Sequence, residues 1–132
     1  MAYGTLQTDV INSSTGLFST NNAYSGIAKA WAQFNGANGT INGSFNISSI
    51  TRNSSGNYTV NFTTAMTNAN YAVNATLSPN AAGTVNGGPV TMFTNGGGTL
   101  VTPTTSAFQF VTFNLSNSYF DANWVSLSVF GA

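Results

Sequence analysis

Between residues 45 and 63 apolar and polar side chains alternate on either side of a short turn-forming stretch, and this pattern constrains the fold more tightly than any other feature. Phe45 and Ile47 share one phase of the first run, Tyr58, Val60 and Phe62 share one phase of the second, and polar residues fill the alternate positions. Successive side chains of a strand point to opposite sides, so the pattern buries one face of a two-stranded ribbon and wets the other. The intervening residues 52–56, Arg-Asn-Ser-Ser-Gly, read as the loop of a β-hairpin.

Similar runs recur along the chain. Residues 28–34 alternate small residues with Lys29, Trp31 and Gln33, although their alanines permit a helix as well as a strand. Residues 71–77 alternate until Ser78-Pro79-Asn80 stops them. Residues 81–98 read as a long Gly- and Asn-rich loop with one minor or edge strand at 90–93, because Pro89 has no N–H for a central ladder. In residues 108–115 the phase changes between Phe110 and Val111, which predicts a bulge or a strand covered on both faces. The last run places Val125, Leu127 and Val129 on one side, with Trp124 and Phe130 on the other. Short strands separated by turn signals predict an all-β chain, an antiparallel β-sandwich of jelly-roll-like form over residues 25–132. Residues 1–24, with a possible short strand at 5–11 followed by a Ser-, Thr- and Asn-rich stretch, read as an N-terminal attachment arm.

Only 3 % of the 132 residues are charged, namely Asp9, Lys29, Arg52 and Asp121, and the net charge is zero. Without an electrostatic field to steer phosphates or anionic lipids, neither nucleic acid nor membrane insertion is expected. A surface of amides and hydroxyls also lets identical copies approach without repulsion, so self-association is the natural partner expectation. No cysteine is present, which removes disulfides and thiolate sites. The opening residues lack the basic and apolar regions of a signal peptide and no apolar run has the length of a membrane span, so synthesis in the cytoplasm without a classical export signal is expected.

General acid–base and nucleophilic catalysis rest chiefly on His, Glu, Asp, Cys or Lys, and the chain has no His, Glu or Cys. A carboxylate pair could only be Asp9 with Asp121, and Asp9 falls in the arm. Calcium held by backbone and Asn oxygens around Asp121 is weighed against an ordinary turn aspartate, and the aspartate is preferred. The chain is therefore expected to be no enzyme, with no catalytic, cofactor-binding or metal residue. The glycine-rich residues 86–89 and 95–99 lack the Lys-Ser/Thr and helix that follow a phosphate loop.

Contact residues are the remaining candidates. Leu6, Val10, Ile11 and Phe18 give the arm apolar handles for attachment or subunit contact, although Phe18 could equally tuck into its own core. Trp31, Tyr119 and Trp124 are candidate glycan or interface aromatics: an aromatic face beside amide side chains suits a neutral sugar ring, and the same residues suit a core or a subunit contact.

Residues 28–36 (AKAWAQFNG), 41–51 (INGSFNISSIT) and 56–62 (GNYTVNF), continuing through Thr63-Thr64-Ala65-Met66 and 69–73, resemble a module of tail fibre and related surface proteins of phages and prophages. Residues 3–11 are similar to the start of small structural proteins and fibres of marine phages. The resemblance implies a β-rich, usually trimeric virion surface module, often in contact with the host surface, and supplies no catalytic residues. It leads to the expectation of a homotrimeric, tail-fibre-like virion structural protein on the virion surface, bound to other virion proteins through its arm and touching host surface glycans in host attachment. The alternatives are a capsid decoration, cement or head-fibre protein, or a free carbohydrate-binding module. The chain departs from a complete fibre in having no long shaft before the module.

Overall fold

Two four-stranded antiparallel sheets face one another across an aromatic core. The computed structural model describes residues 10–13, 16–19, 26–78, 90–114 and 116–131. The strands are β1 (Val10–Ser13), β2 (Gly16–Ser19), β3 (Ala30–Phe34), β4 (Ile41–Phe45), β5 (Ile47–Ser54), β6 (Asn57–Phe62), β7 (Ala72–Leu77), β8 (Val90–Met92), β9 (Ala107–Thr112) and β10 (Val125–Phe130). One sheet has the order β4-β3-β10-β7 and the other β5-β6-β9-β8, while β1 and β2 pair only with each other. The all-β sandwich expected from the alternation is what forms. Eight strands are shared between the two facing sheets, in the order just given.

The period of two explains the layers. Ala30, Ala32 and Phe34 of β3 and Val125, Leu127 and Val129 of β10 point inward from one sheet. Tyr58, Val60 and Phe62 of β6, with Phe108 and Phe110 of β9, meet them from the other. The Phe34 ring stands edge-on to Tyr58 at 5.3 Å and to Phe110 at 6.4 Å, so aromatic contact joins the sheets directly. Each of these fully buried rings stabilises the fold by about 2 kcal/mol through area removed from water.

Three local expectations are corrected by the structure. Phe45 and Ile47 alternate in sequence as though they shared a face, yet Phe45 is 57 % exposed on the edge of one sheet and Ile47 is buried in the other. The chain crosses between sheets at Asn46, whose φ of 55° is the left-handed conformation that asparagine tolerates better than most residues. Its side chain holds the corner, accepting from Thr64 N–H at 2.7 Å and donating to the carbonyls of Lys29 and Thr64, both at 3.2 Å. In the second correction, Arg52, Asn53 and Ser54 are not loop but the end of β5, and only Ser55 and Gly56 turn the hairpin. The third concerns the arm, where residues 10–19 contain the paired strands β1 and β2, so the polar stretch is partly a hairpin.

Two readings left open are resolved. Residues 30–34 form a strand, not a helix. At the phase change in residues 108–115, the register of β9 with β6 runs unbroken from Ala107 to Val111, so there is no bulge there. Val111 and Thr112 are both fully buried, which makes this end of β9 covered on both faces. The minor strand at 90–93 is β8, an edge strand as expected from Pro89, while residues 79–89 lie outside the described residues.

Candidate functional site

Because the alanines and Phe34 of β3 point inward, Trp31 and Gln33 must point out from the same strand. Pairing then sets their neighbours. Trp31 lies opposite Phe45 of β4 and Ser128 of β10, and Ser128 lies opposite Asn74 of β7. The next row across the sheet is Gly43, Gln33, Ser126 and Thr76. Four strands thus assemble a face of amides, hydroxyls and aromatic rings from residues that are scattered in the sequence.

Trp124 completes this face. It immediately precedes β10 in phase with Ser126 and Ser128, and its backbone pairs with Ser78: Ser78 N–H donates to Trp124 O at 2.9 Å, and Trp124 N–H donates to Ser78 Oγ at 2.8 Å. Trp31 is 44 % exposed and Trp124 50 %. Since Trp31 stands opposite Ser128, the backbone positions of the two tryptophans are offset by four residues along β10, about 13 Å at the strand rise. On the same face a hollow of about 260 Å³ lies over β10 and β7, lined by Asn74, Thr76, Ser126 and Ser128.

Glycine at position 43 shapes the Trp31 end. A β-carbon there would stand 3.5 Å from Trp31 Cζ3 and 3.6 Å from Cη2, so the benzo edge of the indole reaches across β4 over a residue with no side chain. Nearly half of the Trp31 side chain stays open to water. Beyond Phe45 a second groove of about 470 Å³ runs past Ile27, Lys29 and Met66. It lies on the side of Trp31 away from Trp124, since β3 runs antiparallel to β10.

Of the other sequence candidates, Tyr119 is not part of this face. Tyr119 is half-buried and stacks on Phe113 with ring centroids 4.7 Å apart, the two residues forming a bridge across the loop after β9. Val10, Ile11 and Phe18 fall in the β1–β2 hairpin, where Ile11 lies opposite Phe18. Leu6 and Asp9 lie outside the described residues.

Sequence reading missed one polar cluster altogether. Asp121 Oδ1 accepts from Gly56 N–H at 2.9 Å, Tyr58 Oη–H at 2.8 Å and Arg52 Nε–H at 3.1 Å, while Oδ2 accepts from Arg52 Nη2 at 2.7 Å and Ser55 Oγ at 3.4 Å. Burial pushes the Asp121 carboxyl up, but the hydrogen bonds from Arg52, Gly56 and Tyr58 and the Arg52 charge outweigh it and hold the carboxyl below its ordinary value. Burial and the bond to Asp121 together push the Tyr58 phenol well above its own ordinary value. A carboxylate encircled by N–H and O–H donors faces hydrogens rather than the oxygen ligands of a calcium site, so the cluster is a structural tie. Among the described residues no three of His, Cys, Asp and Glu gather where they could hold a metal ion.

Comparison with family models, with curated proteins and with solved structures gives no match to this chain.

Proposed function

We propose that this chain is a non-enzymatic structural module displayed on a virion surface, of the tail-fibre-like kind its sequence resembles, and that the outer face of the β4-β3-β10-β7 sheet is the part that meets the host surface. The observation that carries this reading is the pair of half-exposed tryptophans on one uncharged sheet face. Leaving such rings in water forgoes stabilisation on the order of 1 kcal/mol each, a cost that a binding partner recovers. The titratable groups among the described residues also favour binding over catalysis. Asp121 and Arg52 are engaged with one another and with the hairpin turn, away from the tryptophan face.

On this reading identical copies, three by the resemblance, are held to the particle through residues 1–24, and the sheet is presented outward. The experiment is to build particles carrying Trp31→Ala or Trp124→Ala and to measure assembly and adsorption separately. Normal assembly with reduced adsorption supports the proposal. Particles that adsorb normally but lose capsid stability when the protein is deleted would transfer the role to capsid decoration. Absence of the protein from purified particles would overturn the virion placement and favour a free binding module.

A further inference from the structure

We infer that the face between Trp31 and Trp124 is a two-point binding site for a neutral, linear oligosaccharide. This rests on the reading of that face as a contact surface and specifies what it contacts. The two indoles act as stacking platforms carried on backbone positions about 13 Å apart along the strands. That span exceeds a single sugar ring, so one ring cannot engage both platforms. Between them Gln33, Asn74, Thr76, Ser126 and Ser128 offer both donors and acceptors, the equipment needed to bind hydroxyl groups, which themselves donate and accept. Asn74, Thr76, Ser126 and Ser128 also line an open trough of about 260 Å³ over β10 and β7. An open trough fits a chain that enters and leaves at both ends.

The exclusion of charged ligands follows from the same residues. No Asp, Glu, Lys or Arg occupies the rows that link the tryptophans, so a carboxylated or sulfated sugar would lose hydration there without gaining an ionic partner. Lys29 lies in the groove on the opposite side of Trp31, outside the span.

The test uses the full chain against an array of neutral linear hexose oligosaccharides of graded length, with heparin and sialylated glycans as charged probes, followed by titration read by tryptophan fluorescence. Affinity is expected to rise with length until both platforms are covered, and charged probes are expected to bind more weakly than neutral ones of equal length. Trp31→Ala and Trp124→Ala should each weaken binding roughly tenfold, the contribution of one aromatic platform. Asn74→Leu, which fills the trough from β7, two strands away from Trp31, should weaken it as well. Leu100→Ser, at an exposed residue outside these rows, should leave binding unchanged. Unchanged melting temperatures would establish that the variants are folded.

Monosaccharides binding as tightly as longer chains would overturn the two-point span, and preference for the charged probes would overturn the neutral specificity. If no glycan binds while the tryptophan variants still lose adsorption on particles, the contact face stands and the oligosaccharide assignment falls. If the chain is instead an oligomer that Trp31→Ala dissociates, a second copy covers the face and the assignment falls too.

Discussion

Asp121 grips Arg52 from 69 positions away through two hydrogen bonds, and the same carboxylate holds the amide of Gly56 and the hydroxyl of Tyr58. One side chain therefore joins the strand end of β5, the hairpin turn, the start of β6 and the loop that leads into β10. The two partners are not equal in this tie. Asp121→Ala strands several donors at once and should destabilise the fold by about 2–4 kcal/mol. Arg52 is 33 % exposed, and Arg52→Ala leaves Asp121 bound to Gly56 and Tyr58, so its loss should cost only about 0.5–1 kcal/mol. Urea unfolding of the two variants checks the order.

Acid stability follows from the direction of the Asp121 shift. Its folded-state carboxyl is held below the unfolded value of about 3.9, so the stabilisation is complete above that pH and is lost as pH falls through the folded value. Thermal melts should thus be flat on the acid side down to roughly pH 4 and decline below it. Asp121→Asn should remove most of that decline.

Alkaline stability should depend on two buried phenols. Tyr58 and Tyr71 are both raised above the ordinary value of about 10, Tyr71 by burial to about 12. Groups shifted upward stabilise the fold fully below the unfolded value, and that contribution disappears as pH rises through the folded values. Unfolding should begin above about pH 10, and ionisation of Tyr58 and Tyr71, read as the absorbance change missing from Tyr58→Phe and Tyr71→Phe, should accompany it rather than precede it. With no histidine, no side chain ordinarily titrates between the two limits.

How far the sequence specified this structure differs from element to element. Alternation locates β6, β7 and β10 closely, because in each one phase carries the less exposed residues, with Asn57 at the start of β6 the exception. It fails at residues 45–47, since alternation counts residues and cannot register a backbone that turns left-handed at Asn46 and changes sheets. It fails again at Arg52–Ser54, where turn-forming residue types are used inside a strand whose edge is exposed; only the pairing of Arg52 with Tyr58 reveals the ladder. Trp31 and Trp124 were visible as candidates, but their shared face depends on β3 lying beside β10, a relation between segments some ninety residues apart. Tyr119 carried the same local signal and packs on Phe113 instead.

The Asn46 corner separates conformation from hydrogen bonding. Asn46→Ala loses three hydrogen bonds and keeps a side chain in the left-handed region, and should cost about 2–3 kcal/mol. Asn46→Gly loses the same bonds without the conformational strain and should cost about 1 kcal/mol less. Differential scanning calorimetry of the pair would reveal the gap.

Two glycines with similar φ should respond very differently to alanine. At Gly56, φ 62°, a β-carbon would stand 2.7 Å from Thr112 O and 2.8 Å from Phe120 N, both backbone atoms of the core. Gly56→Ala should cost about 3 kcal/mol or more, from overpacking added to the left-handed backbone. At Gly98, φ 73°, nothing lies within 4 Å, so Gly98→Ala should show only the backbone contribution of about 1 kcal/mol. Urea midpoints decide between them.

The scarcity of charge also determines how this chain meets proteases. A trypsin-like enzyme requires Lys or Arg, and the chain has one of each. Arg52 is hydrogen-bonded into β5 and clasped by Asp121, while Lys29 is half-buried and its own amide donates to Val129 O at 2.7 Å, beside β10. Neither can enter an extended cleavage site until the sheet around it opens, so digestion by such an enzyme reports on unfolding of the sandwich and not on its surface loops. The long Asn- and Gly-rich connections, which in most proteins are the first places to be nicked, offer that class of protease nothing to cut.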